Sequence, residues 1–242
     1  MSGFDCFIEG FRLLRKPDLR RYFLVPAAIN TFVLLGLFIV VYMNFGGWVS
    51  SIMSWFPNWL SAVYWLVWAM TFVVVLLSVV FFFTFIANIV SSPFNALLSV
   101  KVEEQLTGKS PTVDVSIWMV LPRAAGREIR KLLYVLPRLV FLLLVVFIPG
   151  VNIVAPFLGI LFGAWMMALQ YTDYGADNNG ISFLNLKERL KQTRLQALLF
   201  GLPAYLLLTI PGVNLVLMPI AVAGGTRFWV EYLKHSQVDP SY

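Results

Sequence analysis

Long apolar stretches dominate the chain, and short groups of charged residues separate them. The longest uncharged stretch runs from Tyr22 to Val100, which is too long for a single membrane-spanning helix. Its first part, 22–42, holds about twenty mainly apolar residues and predicts one span. The Asn44-Phe-Gly-Gly sequence predicts the end of that helix. A second long helix is predicted over 60–107, with a kink at Pro93 and a cytoplasmic extension.

Lysine and arginine are distributed unevenly around these two predicted spans. Five of them precede the first span, none lies between Met43 and Leu60, and thirteen follow from Lys101 onward. The positive-inside rule therefore predicts a cytoplasmic, amphipathic N-terminal segment over 1–21 and an external loop over 43–59. Four aromatic residues in that loop region are typical of a membrane interface: Trp48, Trp55, Phe56 and Trp59.

Two further apolar regions, 139–172 and 195–226, are 34 and 32 residues long. The same Ile-Pro-Gly-Val-Asn string interrupts both of them near the middle. Each arm is too short to span, since a span needs about 20 residues. We therefore predict two re-entrant hairpins, over 132–172 and 195–226, which enter and leave on the cytoplasmic side. Their predicted tips are Pro149, Gly150, Pro211 and Gly212. The alternative is that Pro-Gly turns recur here by coincidence.

Composition places the chain among integral membrane proteins, because 60% of its residues are hydrophobic and only 12% are charged. The predicted fold class is an all-α membrane protein with two long transmembrane helices and two re-entrant hairpins, forming one domain over 1–242. One cysteine and one histidine exclude a disulfide framework and a histidine-rich metal site. Without nucleotide-binding or hydrolase motifs, we predict no enzyme activity and no cofactor. The net charge of +6 is interpreted as topology rather than nucleic-acid binding.

The remaining segments are predicted to be cytoplasmic: a helix over 109–131, a connection over 173–194 and a tail over 227–242. The helix carries a basic group at helical spacing, with Glu128 and Glu104 available as partners: Arg123, Arg127, Arg130 and Lys131. Such a face is usually solvated or lipid-facing, but it can also gather anions at the inner mouth of a pore.

The start of the first span has the features of an anion site. Asp18 is predicted to cap a helix that begins at Leu19, which would place free N–H groups beside Arg20 and Arg21. Backbone donors and guanidinium groups together suit a tetrahedral oxyanion. The alternative is that both arginines only anchor the helix at the interface.

One face of the second long helix is polar: Asn88, Ser92, Asn95, Ser99 and Glu103 recur at spacings of three and four. At membrane depth this pattern indicates either a pore lining or a hydrogen-bonded helix–helix seam, and both alternatives remain open. If transport is coupled to protons, the available carriers are Asp173, Asp177 and Glu103.

Several segments carry a family resemblance, and they occur in one order along nearly the whole chain. They are Pro17-Asp18-Leu19-Arg20-Arg21, Ala87-Asn88, Ser92-Pro93-Phe94-Asn95-Ala96-Leu97-Leu98, Leu106-Thr107-Gly108, Tyr134, Leu136-Pro137-Arg138, Ile148-Pro149-Gly150, Gln170-Tyr171, Asp173-Tyr174, Asp177-Asn178 and Met218-Pro219-Ile220-Ala221-Val222. Together they resemble the CysZ sulfate permease family.

The resemblance implies a bacterial inner-membrane protein that imports sulfate for cysteine biosynthesis and assembles as a homo-oligomer of two or more copies. It also implies that Leu19, Arg20 and Arg21 form the sulfate-binding segment, although the family commonly has glycine where this chain has Asp18. The expected partners are therefore sulfate, the lipid bilayer and further copies of the chain. A competing hypothesis is a membrane scaffold, or an accessory subunit of another permease, that does not itself transport.

Overall fold

All regular structure in the described part of the chain is helical, as the sequence predicts. The structure is a computed structural model that describes residues 1–57, 64–111, 117–208, 210 and 214–236. The helices are α1 (Gly3–Leu14), α2 (Pro17–Met53), α3 (Tyr64–Thr107), α4 (Ile117–Val146), α5 (Ala155–Asn178), α6 (Phe183–Gln192), α7 (Arg194–Leu208) and α8 (Asn214–Phe228), followed by a π-helical turn (Trp229–Leu233). By contacts, the chain divides into two units, 1–23 with 92–242, and 24–91.

Among the residues that the structure describes, three segments are long and apolar enough to cross a membrane: Pro17–Met53, Tyr64–Phe83 and Ala155–Asn178. The helix α2 differs from the prediction at its end, because it continues through Asn44 to Met53. The Asn44 side chain donates to the Val40 carbonyl at 2.8 Å, so this amide bonds back to its own helix rather than forming a turn. In lipid, an unbroken helix also satisfies its backbone groups internally.

Within residues 24–91, α2 and α3 run antiparallel. The Asn30 amide donates to the Ser91 hydroxyl at 3.2 Å near one end of the pair. Near the other end, the Phe45 ring lies edge-on to Trp68 and Phe72, with centroids 5.4 and 6.2 Å apart. Most apolar side chains of these two segments are exposed, as expected for helices that face lipid.

The other unit has the larger core, in which α1 packs on α7 and α8, and α5 packs on α7. The helix α1 begins with a capping box, since the Asp5 N–H donates to the Ser2 hydroxyl at 3.1 Å and the Ser2 N–H donates to Asp5 at 2.7 Å. The rings of Phe7 and Phe200 meet at 6.0 Å in this core. At Gly201, a Cβ would lie 1.8 Å from the backbone oxygen of Ala164, so glycine permits α5 and α7 to approach closely.

The helices α4 and α5 form a helical hairpin around the first predicted tip. Gly150 has φ of +83°, a conformation that favours glycine, and it lies in the turn between the two helices. The side chains around this turn are apolar and exposed, including Phe147 at 74% and Ile153 at 72%. Two boundaries differ from the predicted segments: α4 is one helix from Ile117 to Val146, and α5 continues beyond Thr172 to Asn178. The prediction that each arm is too short to span is therefore wrong for α5, which is 24 residues long and apolar enough to cross a membrane. The second predicted tip, Pro211 and Gly212, lies outside the described residues.

Candidate anion site and buried charge network

The start of α2 presents two exposed arginines, Arg20 and Arg21. The helix begins at Pro17, two residues earlier than predicted, so Asp18 lies in its first turn. The N–H groups of Leu19 and Arg20 both donate to the Lys16 carbonyl, at 3.1 and 3.2 Å. This differs from the expectation of free backbone donors. The Leu19 side chain is fully buried in the core, so the two guanidinium groups are the parts of the predicted segment that face outward.

More basic side chains surround this arginine pair. Lys16 donates to the Gln105 side chain at 3.2 Å, which brings the end of α3 beside the start of α2. Lys101 is paired with Glu104 at 2.7 Å and lies close enough to Arg21 for the two positive charges to interact. The Glu104 carboxylate raises the pKa of Lys101 above its ordinary value, so the ammonium stays charged. The result is a basic surface of two helices rather than of α2 alone.

The inner part of the polar face of α3 is buried within the same unit. Ser99 accepts a hydrogen bond from the Thr226 hydroxyl at 2.8 Å, and its exposed fraction is 0%. Glu103 is likewise 0% exposed; it pairs with Lys234 at 2.8 Å and accepts from Asn179 at 2.9 Å. These contacts are those of a helix–helix seam. Asn95 is also buried, whereas the side chains of Asn88 and Ser92 lie outside the described part.

A buried charge network joins α4 to α5. The Arg127 guanidinium forms a forked ion pair with Asp173, with Nε at 3.0 and 3.2 Å from the two carboxylate oxygens. Its Nη1 also lies 3.3 Å from Asp177 and donates to the Ile181 carbonyl at 2.8 Å. The Lys131 ammonium lies 2.9 Å from Oδ2 of Asp173, so this oxygen is shared by both cations. The side chains of Arg127, Lys131 and Asp173 are 9%, 6% and 6% exposed, so these ion pairs are shielded from water.

Of the two glutamate partners predicted for the basic group on α4, the structure confirms one and adds a partner that was not predicted. Lys131 does pair with Glu128, at 2.7 Å, but Glu104 is engaged by Lys101 instead. The buried partner of both Arg127 and Lys131 is Asp173, which is more than forty residues away in the sequence. A signal was present, because Arg127 and Lys131 are four residues apart and so are Asp173 and Asp177.

These features define an all-helical membrane protein whose charged residues are concentrated in one unit, around an exposed basic surface and a buried ion-pair network. Among the described residues, no group of three histidine, cysteine, aspartate or glutamate side chains is arranged to hold a metal ion. The chemistry that the exposed groups offer is electrostatic recognition of an anion.

The chain belongs to the family described as Sulfate transporter CysZ/Etoposide-induced protein 2.4, which it matches over residues 6–219. It is 44% identical over 233 residues to a protein of Pseudomonas paraeruginosa named Sulfate transporter CysZ, covering 95% of both chains. Proteins with the same name from Pseudomonas syringae pv. tomato and Pectobacterium atrosepticum are 44% and 39% identical. These two matches cover 95% of this chain and 92% and 85% of the relatives. The resemblance seen in the sequence is thus confirmed.

Proposed function

We propose that this protein carries sulfate across the bacterial inner membrane and thereby supplies sulfur for cysteine biosynthesis. The observation that carries the proposal is the 44% identity, over 95% of both chains, to a relative named Sulfate transporter CysZ. The three apolar helices support a membrane location. Transport without ATP hydrolysis is supported by the lack of a nucleotide-binding motif in the sequence.

We further propose that Leu19, Arg20 and Arg21 form the sulfate-binding segment, with the two guanidinium groups as its charged ligands. Both side chains are exposed and therefore accessible to a solute. Arginine suits this role because its planar fork donates two parallel hydrogen bonds to an oxyanion. Lys16, which is exposed, adds positive charge nearby and would attract the anion.

The proposed topology has both termini in the cytoplasm and both hairpins re-entrant. The exposed apolar side chains at the α4–α5 turn support membrane depth for the first tip, because a turn in water would favour polar residues. Backbone groups at such a tip need partners within protein. We therefore propose a homo-oligomer of two or more copies, in which neighbouring subunits cover the tips.

The contacts of Ser99 and Glu103 support a helix–helix seam within one subunit for this part of the polar face of α3. We therefore propose that the pore lining is limited to the outer part of that face. Asp173 is a poor proton carrier on structural grounds, since its protonation would leave Arg127 and Lys131 without their shared carboxylate. Glu103, which pairs with Lys234, is the remaining buried candidate for a proton carrier, and it lies on α3.

The decisive experiment is uptake of radiolabelled sulfate by liposomes that contain only the purified protein. Transport should appear without any other component, and imposing an inward proton gradient should accelerate it if protons are coupled. Vesicles that remain inactive, while the reconstituted protein is folded and oriented, would instead favour a scaffold or accessory subunit.

The binding segment is tested separately by calorimetry on purified variants. Losing a charge-assisted hydrogen bond weakens binding by about ten- to hundredfold, so Arg20→Ala and Arg21→Ala should each remove most sulfate binding. Lysine at either position should bind less well than arginine, and Asp18→Gly should bind at least as well as the natural chain. Arg12→Ala, which removes an exposed arginine from α1, is the matched control. Near-normal binding by the Arg20→Ala/Arg21→Ala double variant would remove this segment from the proposal.

A further inference from the structure

A cavity of about 360 Å³ lies between α4, α5 and the start of α6. Its wall is formed by Gly126, Arg127 and Arg130 of α4, by Asp177 of α5 and by residues 180–182. The sulfate-binding segment proposed above does not include any of these residues. The cavity is partly open, so a group from outside the protein can enter it.

Two guanidinium groups and one carboxylate line this wall. Arg127 is engaged by Asp173, Asp177 and the Ile181 carbonyl. Asp177 lies 3.3 Å from the Arg127 guanidinium, which it shares with Asp173. The side chain of Arg130 is exposed, and none of the ion pairs among the described residues includes it. The cavity therefore presents one guanidinium that is free to bind an anion, next to a carboxylate that already has its cation.

Exposed leucines lie near the cavity on α4 and on α6. Residues 126, 130, 133 and 137 are spaced by four, three and four, so they follow one flank of α4 from the cavity toward the hairpin tip. On this flank Leu133 is 67% exposed, and Leu184, two residues after the cavity-lining Ser182, is 62% exposed. Exposed leucines beside an arginine are typical of the level where lipid headgroups meet acyl chains.

We propose that this cavity binds the phosphate group of an anionic phospholipid, with Arg130 as its principal ligand. The guanidinium would pair with the phosphate, and one acyl chain would lie along the flank of α4 past Leu133. Basic pockets between membrane helices at the cytoplasmic surface are suited to anionic headgroups. The start of α6 also faces the cavity, and the positive end of its helix dipole adds a favourable interaction. The bound lipid would connect α4 to α6 at the base of the first hairpin.

The test measures binding of dioleoylphosphatidylglycerol to the purified full-length protein in neutral detergent, by native mass spectrometry and by the lipid-induced shift in the thermal midpoint. We expect saturable binding of this lipid and at least about tenfold weaker binding by Arg130→Gln. Lys191→Gln is the matched control, because it removes one exposed positive charge from α6 without altering the cavity wall. Dioleoylphosphatidylcholine, which has no net charge, should bind more weakly than phosphatidylglycerol.

A second variant separates the cavity from the charge. A Cβ at Gly126 would meet nothing within 4 Å, so Gly126→Ala fits there, and the longer side chain of Gly126→Leu is expected to reduce the cavity that Gly126 lines. It should weaken phosphatidylglycerol binding, whereas Gly126→Ala should not. Equal lipid affinity of Arg130→Gln and Lys191→Gln would overturn the proposal. It would also be overturned if sodium sulfate alone saturated the site with the same dependence on Arg130 while the lipid did not bind.

Discussion

Removing the carboxylate charge of Asp173 is expected to destabilise the protein strongly. Asp173→Asn keeps the size of the side chain but leaves Arg127 and Lys131, both buried, without the charge that they share. Breaking a buried ion pair in this way costs about 3–5 kcal/mol. Arg127 retains Asp177 at 3.3 Å and Lys131 retains Glu128 at 2.7 Å, so we expect a value near the lower limit, about 3 kcal/mol.

The assay is thermal unfolding in detergent, followed by circular dichroism at one scan rate. For a chain of this size, 1 kcal/mol corresponds to a midpoint shift of about 2–4 °C, so the midpoint should fall by about 6–12 °C. The matched control is Glu188→Gln, which removes an exposed carboxylate from its pair with Lys191 at 3.0 Å. Lys191 holds the pKa of Glu188 below its ordinary value, but an exposed pair contributes only about 0–1 kcal/mol.

A double-variant cycle identifies the interaction itself. Lys131→Met combined with Asp173→Asn should lose less stability than the sum of the two single variants, because Lys131→Met removes a cation that Asp173→Asn has stranded. A fall in the midpoint after Asp173→Asn that is no larger than the fall after Glu188→Gln would contradict this expectation. In that case the charge network would not contribute to stability, and Asp173 would regain its place as a proton carrier.

Three further predictions follow from other buried positions. Cys6 is fully buried, and burial raises the pKa of its thiol to about 12. A maleimide at pH 7–9 should therefore label Cys6 only after unfolding, as counted by mass spectrometry. Labelling of the folded protein at the rate of a free thiol would contradict this. Gly201→Ala should lower the thermal midpoint, because overpacking costs about 1–3 kcal/mol. Gly36→Ala, which has open space around the new Cβ, should leave the midpoint unchanged. Similar midpoints for the two variants would exclude the close approach of α5 and α7. Glu103→Gln should lower the free energy of unfolding by about 1–3 kcal/mol in the same assay, because Lys234 loses its buried partner. An unchanged midpoint would argue against a helix–helix seam along α3.

The helical class and the membrane character could be predicted from the sequence because they depend on composition and on the length of apolar stretches. Sixty per cent hydrophobic residues and the uncharged stretch from Tyr22 to Val100 admit few other structures. The turn around Gly150 follows from the same kind of local information. A Pro-Gly sequence limits the backbone wherever it occurs.

Helix ends were less predictable, because neighbouring contacts decide them. Asn44 looks like a turn residue, yet α2 continues to Met53 with its amide bonded back to Val40. The helix α5 continues past Thr172 through Asp173 and Asp177, since both carboxylates find cations on α4. Local propensity cannot register a partner that is more than forty residues away.

Hydropathy and charge are properties of the residues alone, so they suffice to predict an all-helical membrane protein with arginines before its first span. Which of its charges are available to a ligand depends instead on the folded arrangement. Arg127 and Lys131 look like Arg130 in the sequence, but the fold buries the first two against Asp173 and leaves Arg130 exposed. The physical reason is that the strength of an ion pair depends on burial and on distance, and both are set by how distant segments pack together.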